Sequence, residues 1–150
     1  MTNQPTESII NEALIGLSRS FLQYVAESWP WVDETDRTIE EQMQVLAERQ
    51  RQDVSELVQL LLARDWSIDF GTFPTEYTDL HFISLSTLFE WLENGQQKIA
   101  ELLAAIKHAL SEVSDDEATA LIDTIVMRQG DLGAALKELQ EELADSTTQA

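Results

Sequence analysis

Apolar residues recur three and four positions apart through almost the whole chain, and nowhere do they alternate over a useful length. That pattern admits helices and excludes a sheet. The first helical stretch is predicted from about Glu7 to Ser28, with Ile10, Leu14, Leu17, Phe21 and Tyr24 on one face. The second runs from about Ile39 to Arg64 and carries Ile39, Met43, Leu46, Val54, Leu57 and Leu61. The third begins near Asp79 and carries Leu85, Phe89, Leu92, Ile99, Leu103, Ile106, Leu110 and Val113. The fourth starts at Ser114 and shows Leu121, Ile125, Leu132, Leu136, Leu139 and Leu143.

Local signals bound these stretches. Trp29-Pro30-Trp31 ends the first, because proline can neither donate its backbone nitrogen nor leave its predecessor helical. Thr38 with Glu41, and Ser114 with Glu117, have the spacing of capping boxes. Asn94-Gly95 falls inside the third stretch, but the apolar stripe keeps register across it, so one long helix is expected. Gly130 and Gly133 mark either a kink in the fourth helix or a place where another backbone approaches closely. Residues 1–6 are expected to be a flexible N-terminus, 7–144 the helical domain and 145–150 a frayed tail.

Connection lengths choose among arrangements. The third and fourth helices meet at Val113-Ser114 and must run antiparallel. Asp65 to Thr78, between the second and third, reaches on the order of 45 Å when extended, the length of a long bundle. Such a connection would be wasteful between antiparallel neighbours. The expectation is therefore an all-α, four-helix up-down-down-up bundle with a long crossover between its second and third helices.

Composition restricts function. The chain has 150 residues, 28 acidic against nine basic, for a formal charge of −19 and no cysteine. Disulfides, zinc thiolates and cysteine nucleophiles are excluded. An anionic surface repels phosphate backbones and anionic lipid, so neither nucleic acid nor membrane is an expected partner, and a cytoplasmic setting is expected. There is no Gly-rich phosphate loop, no Gly-x-Ser-x-Gly elbow, no His-Glu-x-x-His and no EF-hand pattern. Acid pairs such as Glu40-Glu41 and Asp115-Asp116 sit at helix starts, where they complement the helix dipole.

The apolar stripe lapses at mid-length in three helices. Ala47 and Gln50 face inward on the second, with Glu48 and Arg51 at the flank. Gly95 and Gln96 fill the gap on the third, beside Glu93, and Arg128 and Gln129 fill it on the fourth, beside Asp131. The first helix shows no gap, with Leu17 at its midpoint. Two readings of this central polar layer compete. It is either a set of hydrogen-bonded core residues that fix helix register, or a ligand or metal site, intact or vestigial.

The long crossover, Asn11-Glu-Ala-Leu14 and Gln23-Tyr24 resemble the ferritin-like superfamily near its bacterioferritin and rubrerythrin branch. The resemblance covers most of the chain and rests on pattern more than motif. It implies the same bundle fold. It also implies a di-iron site built from a glutamate on the first helix, Glu-x-x-His on the second, a glutamate on the third and Glu-x-x-His on the fourth. Carried onto this sequence, the first ligand falls on Leu17. The second-helix pair falls on Ala47 and Gln50 or on Glu48 and Arg51, the third-helix carboxylate on Glu90 or Glu93, and the last pair near Arg128 and Asp131. No register supplies histidine, so the resemblance implies the fold with a degenerate metal site. No metal or other cofactor is expected.

Two further features are candidates. Trp66, Phe73, Tyr77 and His81 are expected to line a small-ligand pocket beneath the crossover, although His81 has the simpler reading of a packing or capping residue. His108 lies too far along the third helix to join His81 on one ion and reads as a surface or interface residue. Trp29 and Trp31 are expected to plug one end of the bundle and Trp66 the other, with Trp91 at the edge of the third stripe. A homodimer through a helix face, or another protein partner, is expected. The function these readings favour is a non-enzymatic binding or assembly module. A carboxylate-bridged di-metal oxidoreductase or iron-handling protein, and a small-ligand carrier, are the rival readings.

Overall fold

A computed structural model describes residues 4–28, 34–75, 77 and 84–148; Trp29, Trp31, Asp79 and His81 lie outside them. The described residues form five helices and no strand: α1 (Thr6–Ser18), α2 (Phe21–Glu27), α3 (Glu34–Ala63), α4 (Leu85–Leu110) and α5 (Asp116–Thr148). None is long and apolar enough to cross a membrane.

The first predicted helix is two. Ser20 adopts an extended backbone and its hydroxyl accepts from the Gln23 backbone N–H at 3.3 Å, which starts α2 afresh. The spacing Leu17-Phe21-Tyr24 runs through this break without a lapse, so periodicity gave no sign of it. The other helices differ at their ends. Thr38 lies inside α3 rather than capping it. At α5 the cap is Asp115, whose carboxylate accepts from the Ala118 N–H at 3.1 Å, rather than Ser114. α5 continues through residues 145–148, expected as a frayed tail. α4 runs unbroken past Asn94-Gly95, and α5 past Gly130 and Gly133.

The main helix contacts join α1 to α3 and α4, α2 to the same two, and α5 to α3 and α4. Two apolar clusters fill the interior. The first draws on α1, the C-terminal halves of α3 and α4, and the N-terminal half of α5, with Leu14, Leu57, Leu103 and Ile122 at its heart. The second draws on α2, the N-terminal halves of α3 and α4, and the C-terminal half of α5, around Phe21, Met43, Leu88 and Leu136. Between them lies the layer described below.

The crossover is held against α1. The Asn11 side chain, 6% exposed, pairs with the Asp69 backbone in both directions, donating to its carbonyl at 2.8 Å and accepting from its N–H at 3.0 Å. Arg19 donates from Nε to the carbonyls of Phe70 and Gly71 and lies over the Phe73 ring at 5.0 Å. Gly71 has φ +70, and a Cβ there would sit 2.7 Å from the Ile15 side chain, so both backbone and space call for glycine.

At the far end, Arg64 forks onto Asp115 at 2.6 and 3.0 Å and reaches Glu117 at 3.1 Å, tying the end of α3 to the start of α5. The hydrogen bond from Arg64 holds the Asp115 carboxyl below the usual aspartate range. The same bond raises the Arg64 guanidinium further above its ordinary value.

Candidate functional site

The centre of the molecule is a chain of carboxamides. Gln50, on α3, is fully buried. Its Oε1 accepts from Ser20 Oγ at 2.6 Å and from Gln23 Nε2 at 3.1 Å, and its Nε2 donates to Gln129 Oε1 at 3.0 Å and Gln96 Oε1 at 3.3 Å. An amide has two acceptor lone pairs and two N–H donors, and here every one is used. Gln96 Nε2 donates to Gln129 Oε1 at 3.3 Å, closing a triangle of amides drawn from α3, α4 and α5.

The bonds have a common direction. Arg51 Nη1 donates to Gln23 Oε1 at 3.1 Å, Gln23 to Gln50, Gln50 to Gln129, and Gln129 Nε2 to Asp53 Oδ2 at 2.8 Å. A guanidinium, which can only donate, stands at one end and a carboxylate, which can only accept, at the other. Those ends fix which way each amide faces, and each bond polarises the next. Gln23 Nε2 also donates to the Ala47 carbonyl at 2.9 Å.

Asp53 anchors the negative end. It is 1% exposed, so its charge must be met. Gln129 bonds one oxygen and Arg128 Nη1 the other at 3.0 Å, and Arg128 also bonds the half-buried Glu56. These two carboxylates, Asp53 first, hold the Arg128 guanidinium more firmly protonated than usual. Arg128 thus sits as a resident cation between two acids on successive turns of α3.

Of the residues singled out in the sequence, the structure brings Gln50, Gln96, Gln129, Arg51 and Arg128 into one network. Glu48 stays outside, exposed and paired with Arg51 at 2.9 Å. Glu93 is exposed and faces Lys137 at 3.9 Å, and Asp131 is exposed beside a cleft that Asp53 and Arg128 also line. Arg128 takes Asp53 and Glu56 as its partners.

Sequence reasoning missed Ser20, Gln23, Asp53 and Glu56. The first two stand at the start of α2, just past the break, so the stretch predicted as the first helix contributes to the layer after all. Asp53 lies three residues after Gln50, a helical neighbour on the same face, and that spacing was the available signal for it.

The described aromatic residues of the crossover divide between the two clusters, and His81 lies outside the described residues. Trp66 packs on the first cluster, whereas Phe73 and Tyr77 meet Tyr24 and Phe21 at the second: Phe21–Tyr77 and Tyr24–Phe73 are edge-on and Tyr24–Tyr77 is tilted, with centroids 5.0–5.5 Å apart. Trp91 meets Phe21 there as well, at 5.7 Å.

A cleft of about 510 Å³ runs between the outer faces of α4 and α5, with Gln96 and Gln129 on its floor among Phe89, Leu103 and Leu136. No family model, curated protein or solved structure matches this chain.

The donor set can be tested against the di-iron centre that the resemblance implies. A carboxylate-bridged metal pair needs anionic oxygens and imidazoles facing one another across the core. Here the facing groups are neutral amides that satisfy each other, Leu17, onto which the resemblance would carry the first carboxylate, is a buried apolar residue, and the buried acid Asp53 is paired with Arg128. These residues do not fit the metal pair.

Proposed function

We propose that the chain is a ferritin-like four-helix bundle that serves as a binding or assembly module and carries no redox metal. Its four arms are α1 with α2, α3, α4 and α5. The composition of the two clusters supports the up-down-down-up order: α3 and α4 both lead from the second cluster to the first, and the other two arms lead back. The crossover, with Trp66 at one cluster and Tyr77 at the other, fits a connection that returns along the bundle beside α1.

The observation that carries the functional reading is the saturation of Gln50. Metal binding at the waist would have to break bonds that already use all of its donors and acceptors, and would bring a cation next to the Arg128 guanidinium. The layer therefore acts as a lock that holds four arms in register, and function falls to the surface the bundle presents. The test is equilibration with ferrous, manganous and zinc ions, followed by gel filtration and elemental analysis. Chain free of stoichiometric metal, with its melting temperature unmoved by chelator, is expected. A reproducible two-metal load lost on replacing Asp53 and Glu56 would overturn the reading.

A further inference from the structure

The sequence sets one reactive dipeptide inside α4. Of the three asparagines, Asn3, Asn11 and Asn94, only the last is followed by glycine. Glycine has no Cβ to screen its amide nitrogen, so that nitrogen reaches the preceding side-chain carbonyl more readily than another residue's would. The Asn94 side chain stands exposed on α4. Asn11 is instead followed by Glu12, and its amide is tied at both ends to the Asp69 backbone. Packing does not call for the glycine. A Cβ at position 95 would meet the Phe21 Cβ at 3.5 Å, an ordinary van der Waals contact, and glycine within a helix is less favourable than alanine.

The helix holds the two reacting groups apart. In α4 the Gly95 N–H is committed to the carbonyl one turn back, and Asn94 is fixed near the helical ψ of about −42°. Attack on the side chain needs that N–H free and the Asn94 ψ swung well away from its helical value. Both conditions are met only where α4 opens locally. The residue after Gly95 is Gln96, a member of the amide triangle, so such an opening is also an opening of the waist.

We propose that Asn94-Gly95 is a modification site, latent in the folded bundle, at which opening of α4 leads to deamidation and isomerisation of the backbone. The Gly95 nitrogen attacks Asn94 Cγ. A new C–N bond forms, the Cγ–Nδ2 bond breaks, and Nδ2 leaves as ammonia with the proton from Gly95. Water then opens the cyclic imide at either carbonyl and restores the N–H, with no oxidant or reductant involved. Opening at Cγ gives aspartate on an unaltered main chain, and α4 can re-form. Opening at the main-chain carbonyl gives isoaspartate, whose main chain is longer by one carbon. That extra carbon displaces Gln96 from its place against Gln50 and Gln129, so a chain that has once opened is marked and cannot close its waist.

The test follows Asn94 by peptide mass spectrometry in the full chain at neutral pH, with aspartate and isoaspartate products separated by chromatography. Conversion in native buffer is expected to be at least about tenfold slower than in denaturing urea, and to quicken in urea below the unfolding midpoint. Gly95→Ala is expected to slow conversion by at least about tenfold in denaturing urea, where no fold is at stake. After return to native buffer, the isoaspartate fraction is expected to melt below the parent and the aspartate fraction close to it. Native conversion as fast as in urea, an unslowed Gly95→Ala, or isoaspartate chains that melt with the parent would overturn the proposal.

Discussion

Asp53 and Arg128 show how a single buried charge organises its surroundings. The carboxylate is withdrawn from water, whereas the guanidinium side chain keeps 45% of its surface exposed. The pair is therefore not a fully buried ion pair, and the loss on removing Arg128 falls in the range for hydrogen bonds to charged groups. Arg128→Ala is expected to lower unfolding free energy by about 1.5–3 kcal/mol in urea titrations. Arg128→Lys is expected to restore part of that loss, because a point charge meets Asp53 but cannot bond Asp53 and Glu56 with the same geometry. Gln50, Gln96 and Gln129 were legible in the sequence because each interrupts an apolar stripe. Asp53 was not, because an acid in a chain with 28 of them reads as another solvated charge until its depth is known.

At the scale of elements, the break at Ser20 decides how the polar layer is assembled. The hydroxyl that caps α2 also donates to Gln50, so one residue both restarts the helix and supplies the layer. Hydrophobic period reports which face is buried, and the same face stays buried on both sides of the break; this is why four helices were legible and the fifth was not. The caps at α5 failed for a related reason. Ser114 and Asp115 are both good capping residues, and it is Asp115, held by Arg64 51 residues earlier, that caps.

That clamp has a pH signature. The Asp115 carboxyl titrates below its unfolded value, so its contribution is complete above about pH 4 and is lost as pH falls through the lower, folded value. Asp115→Asn keeps a cap oxygen but loses the charge. It is expected to be less stable than the parent by about 1 kcal/mol at pH 7, with the difference shrinking as pH falls below about 4, measured as melting temperature against pH. A difference that grew on acidification would contradict this assignment.

For the whole molecule, two apolar clusters are joined by a polar waist, and the cost of placing amides there is offset only because they satisfy one another. An all-apolar waist would tolerate sliding of one helix along another. A directed chain from Arg51 to Asp53 does not, because each of its bonds joins α3 to α2 or α5, and a one-turn shift of α3 separates every donor from its acceptor. The measurement that tests this most directly is a double-mutant cycle on Gln50 and Gln129, with Gln50→Leu, Gln129→Leu and the pair compared by urea unfolding. If the amides act as one lock, each single change leaves partners stranded and the double change costs less than the sum, with a coupling of about 1–3 kcal/mol. Strict additivity, or single variants as stable as the parent, would mean that the waist is filled by amides but not held by them.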